Sequence, residues 1–170
     1  MVQFALVWFL TRQTGSASVL AMASFAALLP KVLISPFIGA LIDRWNRQRV
    51  MIFADLFIAI FTLILAVIFW QDRVQVWHIY AIMFIRALGS SFHWPAMQSS
   101  TSLMVPKDQL ARISGMNQTL QGFLGILAPM TAALLLDILP MQGILAIDIL
   151  TALIAITPLL FVAIPQPAKN

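Results

Sequence analysis

Asp43, Arg44, Arg47 and Arg49 crowd one short stretch, GALIDRWNRQRV, of a chain in which only 9% of residues are charged. Lys31, Asp55, Arg86 and Asp148 stand singly inside long apolar runs. Ionisable groups in such surroundings are costly unless partnered, and the chemistry open to them is ion pairing and proton transfer. Other chemistries lack their residues. Cysteine and glutamate are absent, and His78 and His93 lie 15 positions apart. That excludes thiolate nucleophiles and an HExxH zinc site; glycine-rich phosphate loops are missing as well. Neither a metal nor a cofactor is expected, and the chain is not expected to be an enzyme.

The elements that must position these groups follow from hydropathy. Hydrophobic residues make up 61% of the chain and mean hydropathy is +0.95. Soluble domains carry about 25% charged residues. So much apolar surface cannot be hidden inside a chain of this length, so a lipid bilayer is the expected partner. The net charge of +4 does not point to nucleic acid, because the basic residues are scattered between apolar runs and form no stripe.

A membrane-crossing helix needs about 20 mainly apolar residues. Five stretches qualify, over residues 17–42, 50–70, 76–104, 113–136 and 143–164, and a shorter apolar segment over 1–12 precedes them. The alternation of a membrane β-strand is absent. The expectation is an all-α membrane protein with five full transmembrane helices and a partial first helix. Numbering the loops alternately collects Arg44, Arg47, Arg49, Lys107, Arg112 and Lys169 on one side, and Arg12 and Arg73 on the other. The basic excess puts loop 43–49 and the C-terminus in the cytoplasm of a multi-pass inner-membrane protein. Asp43 is the exception to this simple pattern: an acid at a helix C-terminus meets the negative end of the dipole and needs a partner.

Gly39-Ala40-Leu41-Ile42-Asp43-Arg44-Trp45-Asn46-Arg47-Gln48-Arg49 resembles the signature loop of the major facilitator superfamily, G-x-L-x-D-R-x-G-R-[KR]. Asn46 stands where the family has glycine, a place where asparagine tolerates positive φ, and Gln48 interrupts the basic pair. Arg86-Ala87-Leu88-Gly89 looks like the family's fourth-helix motif. Gly125 to Ala133 resembles its fifth-helix antiporter motif, with Gly125 and Pro129 kept and Ala132 among alanines replacing glycines. LLPKVLISPFIGALIDRWNR and LMVPKDQLARISG look like the drug-efflux branch related to macrolide exporters.

The resemblance implies an N-terminal half of a two-half transporter, incomplete in its first helix, with residues 165–170 starting a cytoplasmic linker. The implied function is proton-coupled export of a small amphipathic substrate by alternating access. The contrary expectation is a fragment or split-gene half that transports nothing until a C-terminal partner joins it. Arg86 would tune a nearby carboxylate used in proton exchange, for which Asp55 and Asp148 are the candidates, Asp148 the favoured one. Asp55 is expected to pair with Arg47 or Arg49, and Asp43 to latch the cytoplasmic gate with a partner on the absent half. Lys31 and Arg86 should face the bundle interior, and Asp137 should be solvated. The run Ser90–Ser102 is too polar for lipid and must face protein or a watery cavity. The resemblance puts this helix beside the central cavity, which makes Ser91, His93, Trp94 and Gln98 candidates to line it.

Overall fold

The computed structural model describes residues 1–162 and Ile164. It contains six α-helices: α1 (Val2–Thr14), α2 (Ala17–Arg44), α3 (Arg47–Trp70), α4 (Val76–Met104), α5 (Leu110–Ile138) and α6 (Met141–Phe161), with a short 3₁₀ turn, Lys107–Gln109, before α5. The 13 residues of α1 reach about 20 Å, short of the ~30 Å hydrocarbon core. Four of the others, α2, α3, α5 and α6, are both long and apolar enough to cross a membrane. α4 is long enough, but Arg86 and the polar run after it keep α4 out of that set.

That polar run is tolerated because its hydroxyls bond inward. Ser91 donates to the Ala87 carbonyl at 2.7 Å, Ser100 to Ala96 at 2.7 Å and Thr101 to Met97 at 2.9 Å. Each satisfies itself on the preceding turn of its own helix. α4 is also shielded by its neighbours: it packs between α2 and α3, and α3 in turn packs on α6. Gly89 sets the α3–α4 approach, since a Cβ there would lie 2.6 Å from Ile58 Cγ1.

Apolar contacts gather at two levels. Leu6 and Leu10 of α1 are fully buried with Leu65, Ile79, Met83, Ile144 and Leu145, so the short helix is the plug of the core at this end. Its Phe9 meets Phe69 edge-on at 5.1 Å. Ile38, Ile42, Met51 and Ala96 form a second cluster near the α2–α3 turn. α5 is sparsely packed: Ala132 is its buried residue, Leu135 and Leu136 lie against the core beside α1, and most of its other large apolar side chains are exposed. In water that surface would be a liability; in a membrane it can be covered by lipid or by another bundle.

Several expected boundaries move. The loop expected over 43–49 shrinks to Trp45 and Asn46, because α2 runs through Asp43 to Arg44 and α3 begins at Arg47. Asn46 has φ −69°, not a positive value; its side chain accepts from the Arg49 N–H at 3.1 Å and caps α3. A capping asparagine does the work that a left-handed glycine would do elsewhere. Positive φ falls instead at Gly15, which ends α1, and at Asp72. α6 ends at Phe161, three residues earlier than expected, and the expected linker 165–170, with Lys169, lies outside the described residues.

Candidate functional site

Arg86 of α4 turns into the bundle and meets Asp148 of α6, Nη1 to Oδ2 at 2.7 Å and Nη2 to Oδ1 at 3.4 Å. The two side chains are 14% and 21% exposed. Nη1 also donates to Thr62 Oγ1 of α3, and that hydroxyl donates to the Ile58 carbonyl at 2.7 Å. A guanidinium in an apolar bundle is stable only with such partners, and a two-point carboxylate contact is the geometry it favours. Three helices therefore converge on one ion pair.

A second pair lies two turns away. His93 Nε2 of α4 approaches Asp55 Oδ2 of α3 at 3.4 Å, both side chains mostly buried. Arg86 and His93 are seven residues apart on α4, and Thr62 and Asp55 are seven apart on α3. Seven residues is close to two full turns, so each helix presents both members on one face. The two pairs stack along the α3–α4 seam, about 10 Å apart at 1.5 Å per residue.

At the end of that seam, Arg47 is 7% exposed and donates to the Ser99 carbonyl of α4 at 3.2 Å. It reaches Asp43 at 3.6 Å, one turn back across the helix break. Asp43 itself is 72% exposed. The Gln48 side chain donates to the Leu159 carbonyl, one of the last carbonyls of α6, which have no partner within their own helix. The substituted motif position thus ties α3 to α6.

On another face of α4 opens a groove of about 630 Å³, lined by Lys31 and Ser35 of α2, Ser90, Ser91 and Trp94 of α4, and Gln121 of α5. Lys31 is exposed to it and has no ion-pair partner among the described residues. The lining includes one cation, several hydroxyls, an amide and an indole, and no carboxylate. Such a set offers hydrogen bonds and one positive charge to an amphipathic ligand.

Residues 1–170 match the Major Facilitator Superfamily. The chain belongs to that superfamily. It is similar to Macrolide efflux protein A of Streptococcus pyogenes, 40% identical over 166 residues, which is 98% of this chain and 41% of the relative. It is 41% identical over 152 residues to Macrolide efflux protein A of Enterococcus faecalis, covering 89% of this chain and 47% of that protein. A more distant relative, the uncharacterized MFS-type transporter YkuC of Bacillus subtilis, is 23% identical over 161 residues, 95% of this chain and 37% of the relative. The chain thus spans less than half the length of these relatives. No solved structure matches it.

As a major facilitator chain it arranges its expected site residues in separate groups. Arg86 and Asp148 come together; Lys31 does not join them but faces the groove. Asp55 pairs with His93, not with Arg47 or Arg49, because Arg47 lies eight residues back along α3, about 12 Å, and is level with Ser99 of α4 while Asp55 is level with His93. Ser91 and Trp94 line the groove, while His93 points to α3, and Gln98 is exposed one turn beyond Trp94 without lining the groove. Asp43 has Arg47 as partner within this chain, and Asp137 meets Arg12 at 2.7 Å. Gly39 and Gly125 are exposed with open space around them, Pro129 is half-buried and Ala132 buried. Thr62, Ser35, Ser90 and Gln121 were not singled out as site residues. For Gln121 a signal existed, an amide in the middle of an apolar helix; Thr62 gave none, since a hydroxyl can satisfy itself on its own helix.

Proposed function

We propose that this chain forms one half of a secondary active exporter of amphipathic drug-like compounds, working by proton-coupled antiport and alternating access. The observation that carries the reading is the groove beside Lys31, Trp94 and Gln121. It opens on the side where α5 is bare, so a second bundle placed there would close it into a midplane cavity. The macrolide efflux relatives suggest the substrate class. Lys31, Ser91 and Trp94 would touch substrate.

The proton would be taken by Asp148. Its carboxylate loses its charge on protonation, the contact with Arg86 loosens, and α4 and α6 become free to shift against each other. His93 and Asp55 would carry the same exchange toward the Asp43–Arg47 turn, which the basic-residue bias assigns to the cytoplasm. There the Asp43–Arg47 contact, with Arg44 and Arg49 beside it, would hold the gate.

A second reading is favoured by the same bare face: alone, the chain encloses nothing and transports nothing. Both readings are tested by expressing the chain in macrolide-sensitive bacteria, alone and together with the part of the Streptococcus pyogenes relative that it does not match. Resistance with the complement and none without it supports the half-transporter reading. Resistance in neither case, with both chains present in the membrane, leaves the chain a non-transporting bundle.

A further inference from the structure

A larger cleft, about 860 Å³, lies between α3 and α4. Its mouth is formed by Arg44, Trp45, Asn46 and Arg49, and its body by apolar side chains including Phe53, Phe57 and Ile60 of α3 and Leu88 and Phe92 of α4. Leu88, Gly89 and Phe92 point to a different side of α4 from the groove residues Ser90, Ser91 and Trp94. The cleft opens where Phe53, Phe57 and Ile60 are exposed, a surface that in this membrane protein faces lipid.

Its charge is uncompensated. Arg44 and Arg49 are both exposed and neither has an ion-pair partner among the described residues, since Asp43 is taken by Arg47. No carboxylate lines the cleft. Arg49, Phe53, Phe57 and Ile60 follow one stripe of α3. Eleven residues separate Arg49 from Ile60, about 16 Å of helix, or roughly half of the ~30 Å hydrocarbon core. The slot is one leaflet deep, with two cations at its mouth and Trp45, also at the mouth, stacked at 6.4 Å on Phe92 of its body.

We infer that this cleft is a binding site for one anionic phospholipid of the leaflet on the Asp43–Arg49 side, its phosphate between Arg44 and Arg49 and an acyl chain along Phe53, Phe57 and Ile60. Basic pockets between transmembrane helices bind anionic headgroups through this chemistry. The site depends on neither transport nor a partner half. It also places the lipid against the gate turn, since Arg44 ends α2 and Arg49 lies in the first turn of α3.

Quenching of Trp45 tests it. The full chain, with Trp8, Trp70, Trp77 and Trp94 changed to Phe, is reconstituted in phosphatidylcholine vesicles containing a minor fraction of brominated phosphatidylglycerol or brominated phosphatidylcholine. The anionic lipid should quench at lower mole fraction, by roughly five-fold per arginine. Arg44→Gln with Arg49→Gln should abolish the preference, and Arg44→Lys with Arg49→Lys should keep most of it. Lys107→Gln with Arg112→Gln should leave it intact. Equal quenching by both lipids in the parent overturns the proposal. So does loss of preference in the Lys107 and Arg112 variant, which would mean diffuse surface attraction. Displacement by soluble glycerol phosphate overturns it too, in favour of a site for the headgroup alone.

Discussion

Arg86 on α4 and Asp148 on α6 meet at 2.7 Å, 62 residues apart in sequence, inside a bundle whose other contacts there are almost entirely apolar. Neither residue has another ion pair among the described residues, although the Met1 amino group at the start of α1 is close enough to feel both charges. The pair is therefore a unit. Removing one member leaves a charge without its partner in low dielectric, while removing both leaves none.

Single substitutions should accordingly cost more than the double one. Arg86→Met or Asp148→Leu alone should destabilise the folded chain by about 3 kcal/mol, and the double variant by much less than the sum. Unfolding in lipid bicelles by a denaturing detergent measures all three. Additive losses would mean the two side chains do not interact.

Gly89 and Gly122 make opposite predictions for the same change. A methyl group at Gly89 would meet Ile58 Cγ1 at 2.6 Å and the Ala54 carbonyl at 3.4 Å, whereas Gly122 has open space. Ile58 is β-branched and stiff, so it cannot swing aside freely. Gly89→Ala should cost about 1–3 kcal/mol, as overpacking does, and Gly122→Ala should not destabilise this chain. The same unfolding assay separates them; Ile58→Val should recover part of the Gly89→Ala loss.

Asn46→Ala should weaken the start of α3 by about 1 kcal/mol, through loss of the bond to the Arg49 N–H. Asn46→Gly, which restores the glycine of the signature loop, should cost only a few tenths of a kcal/mol, since glycine is nearly as good a cap. Amide hydrogen exchange at Arg49 and Val50 reads the difference. Equal exchange in both variants and the parent would mean that the cap contributes nothing.

The helices and the intramembrane charges were legible in the sequence, because hydropathy and charge are properties of single residues and their neighbours. Partners were less so. Arg47 lies eight residues before Asp55 on one helix, so sequence spacing suggested that pair; His93 comes from α4, whose register against α3 is fixed by Gly89 and Ile58. The Arg12–Asp137 contact was hidden for the same reason, since it depends on α1 packing beside α5. Asn46 was read for the backbone angle that its family position requires, and it proved to act through its side chain.

Groove substitutions separate binding from energisation. With the complementary part supplied, Trp94→Ala and Lys31→Met should lower drug affinity several-fold while leaving the response to a proton gradient in place. A transport assay over a range of drug concentrations reads this as a shift in KM with little change in maximal rate. A loss of maximal rate at unchanged KM would remove these residues from the substrate surface.

Proton-driven export is read by accumulation of labelled macrolide in cells carrying the chain joined to the unmatched part of its Streptococcus pyogenes relative. Low accumulation is expected, reversed by a protonophore and by Asp148→Asn, with the Asp148→Asn protein present in the membrane in normal amount. Low accumulation that persists in Asp148→Asn, or that ignores collapse of the proton gradient, would contradict that expectation.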